Sequence, residues 1–357
     1  MKTRNDTHRG LRGTLSLLGL SVLGAGLQAC DDPTRAPGPA TYTVGAPEKV
    51  VSLGSPENLG IPSGNSLGIN DAGAVAGGRR KPGFQEVGFL WTRTGGEVEL
   101  GFLGNPVYTT AYAINNKGEI VGGSTPAGAQ NRVAYIRSPS GEFRAIGPLD
   151  TYSFGWDVNE SSVVVGSVNL NGGTQAFRWS ADRGMTVLPD LGGGFTSASG
   201  INDRGEIVGT SNLGGPSLPV AWSATGQLRQ LATLGRPYGY AHDINNQGQI
   251  AGISADSLGR LRAVLWHTDG RVEDLGTLGG AESMAIAIND HGEVVGSSQT
   301  ASGEWRAFFW SRASGMLDLG KLPEATYSSA MGINERGQVV GWSGGWVTLW
   351  EVKRPGS

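Results

Sequence analysis

The chain has 357 residues, a formal net charge of −3, 60 glycines, 38% hydrophobic residues and only 17% charged ones. So much glycine excludes a mainly helical protein, because a glycine inside a helix costs roughly 1 kcal/mol relative to alanine. The glycines keep no three-residue period and stand beside 17 Pro, 10 Trp, 9 Phe and 8 Tyr, which excludes collagen and supplies the aromatic material of a core. What remains is an all-β protein rich in turns.

At the start of the chain, Lys2, Arg4, Arg9 and Arg12 precede an apolar run over 13–26, the charged and apolar regions of a secretory signal. The run is short for a membrane span. It ends in Leu27-Gln28-Ala29-Cys30, and Cys30 is the only cysteine. This resembles the lipobox of bacterial lipoproteins, which implies removal of 1–29, lipidation of Cys30 and attachment to a membrane through the lipid. The alternative is an incidental thiol beside an ordinary signal. Asp31 resembles the inner-membrane retention signal of enteric bacteria, yet the leaflet stays open, periplasmic or surface-exposed. Residues 30–48 are proline-rich and read as a tether. Loss of 1–29 leaves 24 basic against 30 acidic residues, net −6. That balance offers no electrostatic footprint for nucleic acid.

From 49 to 357 the sequence repeats. An apolar residue, Asn, then Asp, Asn or Glu, any residue, and Gly or Ser recur at Asn70, Asn115, Asn159, Asn202, Asn245, Asn289 and Asn334, at spacings of 45, 44, 43, 43, 44 and 45. Seven residues beyond each Asn stands a glycine: Gly77, Gly122, Gly166, Gly209, Gly252, Gly296 and Gly341. Farther on, strand-like segments end at Trp91, Trp179, Trp222, Trp266, Trp310 and Trp350, with Ala134-Tyr135-Ile136-Arg137 in that place in the second repeat. The sixth unit predicts four strands, over 283–289, 293–298, 306–310 and 316–322. Four strands in about 44 residues is the size of one propeller blade. The last unit stops one strand short, while 49–54 has the pattern of a fourth strand such as 271–276. The expectation is a seven-bladed β-propeller of four-stranded blades, closed by an N-terminal strand that completes the last blade.

The repeated motif is itself a turn. In Ile288-Asn289-Asp290-His291-Gly292 the Asn side chain can bond the backbone two residues on, and Gly supplies the positive φ. Ser162 replaces that Gly in the third repeat, so its turn is strained or of another type. The motif has too few oxygen ligands for calcium, and no metal is expected. The apolar residue before each Asn and the small residue four before it (Ser66, Ala111, Gly155, Ala198, Ala241, Ala285, Ala330) predict a first strand buried on both faces between blades.

Units such as Asp274-Leu275-Gly276-Thr277-Leu278-Gly279-Gly280, followed by Ala285 to Gly296 and Arg306-Ala307-Phe308-Phe309-Trp310, resemble the HAF repeat of bacterial extracellular proteins. The resemblance covers Val50 to Trp350 and implies export and a repeated β fold, without an activity to carry over. The family's His slot holds Gln175 before Ala176-Phe177 and Arg306 before Ala307-Phe308.

Propellers commonly bind ligands where the fourth strand of one blade leads into the first of the next, around the channel mouth. Seven residues before each motif Asn, in that connection, stand Ser63, Tyr108, Tyr152, Phe195, Tyr238, Glu282 and Tyr327. If these face the mouth they form a ring able to stack on sugars or hold an apolar peptide; the alternative is that they wedge against the next blade. The cationic connection 79–86 and the segment 304–306 are further candidates for binding loops, the alternative being that their long cationic side chains are only solvated. No catalytic residue is assigned. His242, His267 and His291 fall at different repeat positions and give no metal-ligand spacing. Asp157 and Asp243 share one slot, two before the Asn, where they could form a carboxylate pair for glycoside hydrolysis or hydrogen-bond neighbouring backbone. The expected function is a lipid-anchored envelope propeller, free of cofactors, that binds a glycan or protein or serves as a scaffold. Its rival is an exported hydrolase or lyase acting on a polysaccharide or peptide through Asp157, Asp243 or Glu282.

Overall fold

The computed structural model describes residues 41–53, 67–81 and 85–356. The expected signal, the lipidation site Cys30, Ser63 and Ser66 lie outside the described residues. Among the described residues every element is a strand.

The motif turns form as their chemistry dictates. Each Asn carbonyl accepts the N–H of the residue three on, closing the turns at Gly73, Gly118, Ser162, Gly205, Gly248, Gly292 and Gly337. Each Asn Oδ1 also accepts the N–H four residues on, as from Ala74, Glu119 and Glu293 at 2.9–3.0 Å. Gly248 has φ 79° and Ser162 φ 61°. The third repeat therefore keeps the common turn and places a non-glycine residue in the left-handed region, at a cost of about 1 kcal/mol. Ser162 Oγ donates to Glu119 of the preceding repeat at 2.8 Å, which offsets part of it.

Each turn joins the first two strands of an antiparallel unit. Four sheets run in simple sequence order, for example Gly239–Ile244, Ile250–Ala255, Leu261–Trp266 and Val272–Asp274. The first two units share one eight-stranded sheet through a single parallel pairing, Glu86 with Tyr108. The last unit contributes Ser328–Ile333, Gln338–Ser343 and Trp346–Lys353. Its outer partner is Glu48–Ser52, antiparallel, with Val51 opposite Val347. Thr43–Val44, from the segment that reads as tether, pairs with the far end of the same strand at Lys353 and Val352. In the sixth unit the fourth strand stops at Asp318. Leu319 then turns inward to donate its N–H to Ala307, and Gly320 takes φ 75°.

From the second unit to the seventh, the first strand carries a bulge. Its register slips between the residues four and two before the Asn, as at Ala111/Ala113, Gly155/Asp157, Ala241/Asp243 and Ala330/Gly332. The slip turns the residues six, four and one before the Asn to one side, where they are buried, and those five, three and two before it to the other, where they are half-buried. This corrects the expectation of burial on both faces. The three-residue separation of the small and apolar positions would put them on opposite faces of a regular strand, and the extra residue returns them to the same face.

The bulge also explains the glycine in six of the second strands. A Cβ on Gly122, Gly166, Gly209, Gly252, Gly296 or Gly341 would run into the carbonyl oxygen of the residue five before the Asn. No side chain fits there. The core lies between successive units: Val208 and Ala221 of the fourth pack with Ile250, Val264 and Trp266 of the fifth. Val51, Val340 and Leu349 pack in the same way against Val75, Phe89 and Trp91 of the first unit. The Trp222 and Trp266 indoles are fully buried and donate to the carbonyls of Pro189 and Ala232.

Candidate functional site

The first strands surround a central cavity of about 410 Å³, to which all seven repeats contribute. In six repeats the bulge residue lines it: Tyr112, Trp156, Ser199, His242, Ile286 and Met331. One slot in the fold thus holds six different side chains. The second and third repeats make an aromatic wall, with Tyr112 and Trp156 ring centroids 4.5 Å apart and Phe154 5.6 Å from Trp156. Trp156 is oriented by donating its indole N–H to Ser167 at 3.0 Å. On the fifth repeat Tyr240 stacks on His242 with centroids 6.0 Å apart, and Tyr238 meets Tyr240 edge-on at 5.5 Å.

Asp157 and Asp243 line the same cavity. Asp157 accepts the N–H of Val158 and, across the gap between units, that of Ile201 at 2.9 Å. Asp243 does the same with Ile244 and Ile288. Backbone hydrogen bonding, one of the two roles considered for them, is therefore present. Burial pushes the Asp157 carboxyl up to about 7, with Asp243 adding repulsion, and burial pushes Asp243 up to about 6. Burial also holds His242 down to about 4, so its imidazole is neutral at physiological pH. His242 Nε2 is buried without a hydrogen-bond partner.

The turn side is different. Each motif Asn donates its Nδ2–H to the Asn carbonyl of the next repeat, Asn70 to Asn115 at 3.1 Å and onward until Asn334 donates to Asn70 at 2.9 Å. The following residue repeats the device: the N–H of Asp71 reaches Asn116, Asn116 reaches Glu160, and Glu335 returns to Asp71 at 2.9 Å. Arg354 clamps this side by a bidentate pair to Glu293, which is 2% exposed, and by donating to the Glu335 carbonyl.

Of the residues expected to form a ligand ring, Phe195 lines the central cavity and Tyr238 reaches it through its 3.1 Å hydrogen bond to Tyr240. Tyr108 and Tyr152 line a separate cavity of about 300 Å³, where Arg132 stacks 3.6 Å from the Tyr108 ring. Glu282 accepts the N–H of Leu261 at 3.4 Å, and Tyr327 is half-buried with its carbonyl bonded to Ser343. The cations of 79–86 are paired: Arg79 with Glu97 and Glu99, Arg80 with Glu86, Lys81 with Glu99. Among the described residues His267 meets Glu273, and His291 meets Glu335. The sequence reading passed over Tyr112, Phe154, Trp156 and Tyr240; their signal was aromatic residues three and five before the Asn.

No protein-family model matches the chain, and no curated protein matches it. Solved structures do. Virginiamycin B lyase from Staphylococcus aureus is similar at TM-score 0.57 and 11% identity, over 88% of this chain and 99% of that one. The β-propeller domain of the Trilobed protease from Pyrococcus furiosus is similar at TM-score 0.53 and 13% identity, over 82% and 98%. TolB from Acinetobacter baumannii is similar at TM-score 0.49 and 14% identity, over 68% of this chain and 62% of that one. At these identities the likeness to the first two defines the fold alone, and that fold is a β-propeller.

Proposed function

We propose that the chain is a seven-bladed propeller, closed by the pairing of Glu48–Ser52 with the last blade, that is held in the bacterial cell envelope by a lipid on Cys30 and binds a glycan or protein partner at its central cavity. The single observation that carries the binding role is the bulge slot. The fold presents it in the same way in the second to seventh repeats, while its occupants diverge from Tyr112 and Trp156 to Ser199 to His242. Packing alone rewards copies of one residue; a pocket with an aromatic side and a polar side rewards this divergence. Seven blades and closure are supported by the two circuits of hydrogen bonds that return from the last repeat to the first. Envelope attachment rests on the basic and apolar leader and its cysteine.

The test of binding is capture of the purified protein on arrayed envelope glycans, peptidoglycan fragments and a secreted-protein extract. Saturable capture weakened by Trp156→Ala, with the thermal midpoint little changed, is the expected result. No capture by a folded protein leaves a structural role. Lipidation is tested by incorporation of labelled palmitate, lost in Cys30→Ala. A second reading, an exported hydrolase or lyase, is favoured by the placement of Asp157, Asp243 and His242 in one cavity. Turnover of a captured polysaccharide or peptide that disappears in Asp157→Asn would establish it.

A further inference from the structure

We infer that the central cavity receives an organic ammonium group, held between the Tyr112 and Trp156 wall and the carboxylates of Asp157 and Asp243. This rests on the proposal that the cavity is the binding site and names the chemistry it takes. Two acidic side chains line a cavity of about 410 Å³ that, among the described residues, no Lys or Arg lines. Among the described residues neither carboxylate forms an ion pair; each is held by two backbone N–H groups, which use one lone pair on each oxygen. The remaining lone pairs can accept from a ligand. Buried carboxylates without a counter-charge are costly, and a bound cation would offset that cost.

The aromatic wall adds to the same preference. Ring faces carry negative electrostatic potential, so the Tyr112 and Trp156 rings attract a cation that also meets the carboxylates. An anionic ligand would face two carboxylates without a compensating cation. An uncharged sugar would stack on the wall and leave the carboxylates as they are.

The experiment uses the full chain and isothermal calorimetry with two probes of equal shape, choline and its neutral tert-butyl isostere. Choline is expected to bind about tenfold more tightly than the isostere, and Asp243→Asn is expected to remove most of that preference. Equal affinities for the two probes, or no binding of choline, overturn the inference. So does a preference that survives in both Asp157→Asn and Asp243→Asn. Should those variants fail to fold by circular dichroism, the two probes on the unaltered protein still decide. Capture of a glycan or protein without choline binding removes the ammonium inference and leaves the partner reading intact. Choline binding without any capture does the reverse.

Discussion

The two ends of the space at the centre of the molecule are built from the same seven strands and obey different rules. At the turn end every repeat spends its Asn and the following residue on its neighbours, so that Asn245, for example, caps its own turn and donates to Asn289 at 3.0 Å. At the cavity end the bulge residues make no such common bond, and Tyr112, Ser199, His242 and Met331 occupy one equivalent place. Uniformity across repeats marks what joins one unit to the next, and under the proposed function divergence at a uniform place marks what the cavity takes.

The sharpest way to break this contrast is at the glycine that lets the bulge form. Gly252→Ala drives a Cβ into the Tyr240 carbonyl and should cost about 3 kcal/mol or more, read as a collapse of the thermal midpoint or loss of folded protein. An alanine tolerated there would mean that the inner strand can relax. Next in size is Asn245→Ala, which strips acceptor bonds from Gln247 and Gln249 and donor bonds to Asn289 and Gln249. Chemical denaturation should show a loss of about 2–3 kcal/mol. Ile286→Ala, at the cavity end, should cost visibly less.

A pH experiment sharpens the comparison. Asp157 and Asp243 have raised folded values, so their stability is complete below the unfolded carboxyl value and is lost as pH climbs through about 6 and 7. His242 is lowered, so its stability is complete above the unfolded imidazole value and is lost as pH falls through about 4. The two effects oppose each other in mildly acid solution. His242→Gln removes only the second, and stability on acidification toward pH 4 should then rise more steeply than in the unaltered protein, by on the order of 1 kcal/mol. Equal slopes would contradict a buried, neutral His242. The smallest effect is at Ser162→Gly: relief of the left-handed strain against loss of the bond to Glu119 leaves a net gain of about 0.5 kcal/mol or less in thermal unfolding.

Much of this was legible before any coordinates. The Asn turn, the positive φ at its fourth position and the four strands per unit follow from local chemistry that each repeat states for itself, seven times over. The bulge was not legible in the same way, although the small residue and the apolar residue three apart, such as Ala241 and Ile244, are incompatible with strict alternation on one buried face. The bulge decides which side chains line the central cavity. Residues seven before the Asn, such as Tyr152, were singled out, while Trp156, which the bulge turns into the cavity, passed as part of a strand. The second reason is that the circuit of Asn side chains is a relation between repeats, and a single repeat gives no sign of the carbonyl that its Asn Nδ2 will find.

The pairing of Glu48–Ser52 with Trp346–Leu349 also has a temporal side. Every other sheet can form from neighbouring sequence as the chain emerges, so local contacts accumulate early. The strand at Val51, and the bond from Asn334 to Asn70 across 264 positions, must wait for the last repeat to be made. Until then one sheet edge at each end lies open to pairing with other chains. The slow step of folding, and the moment of greatest risk of aggregation, should therefore be the last docking of the two ends.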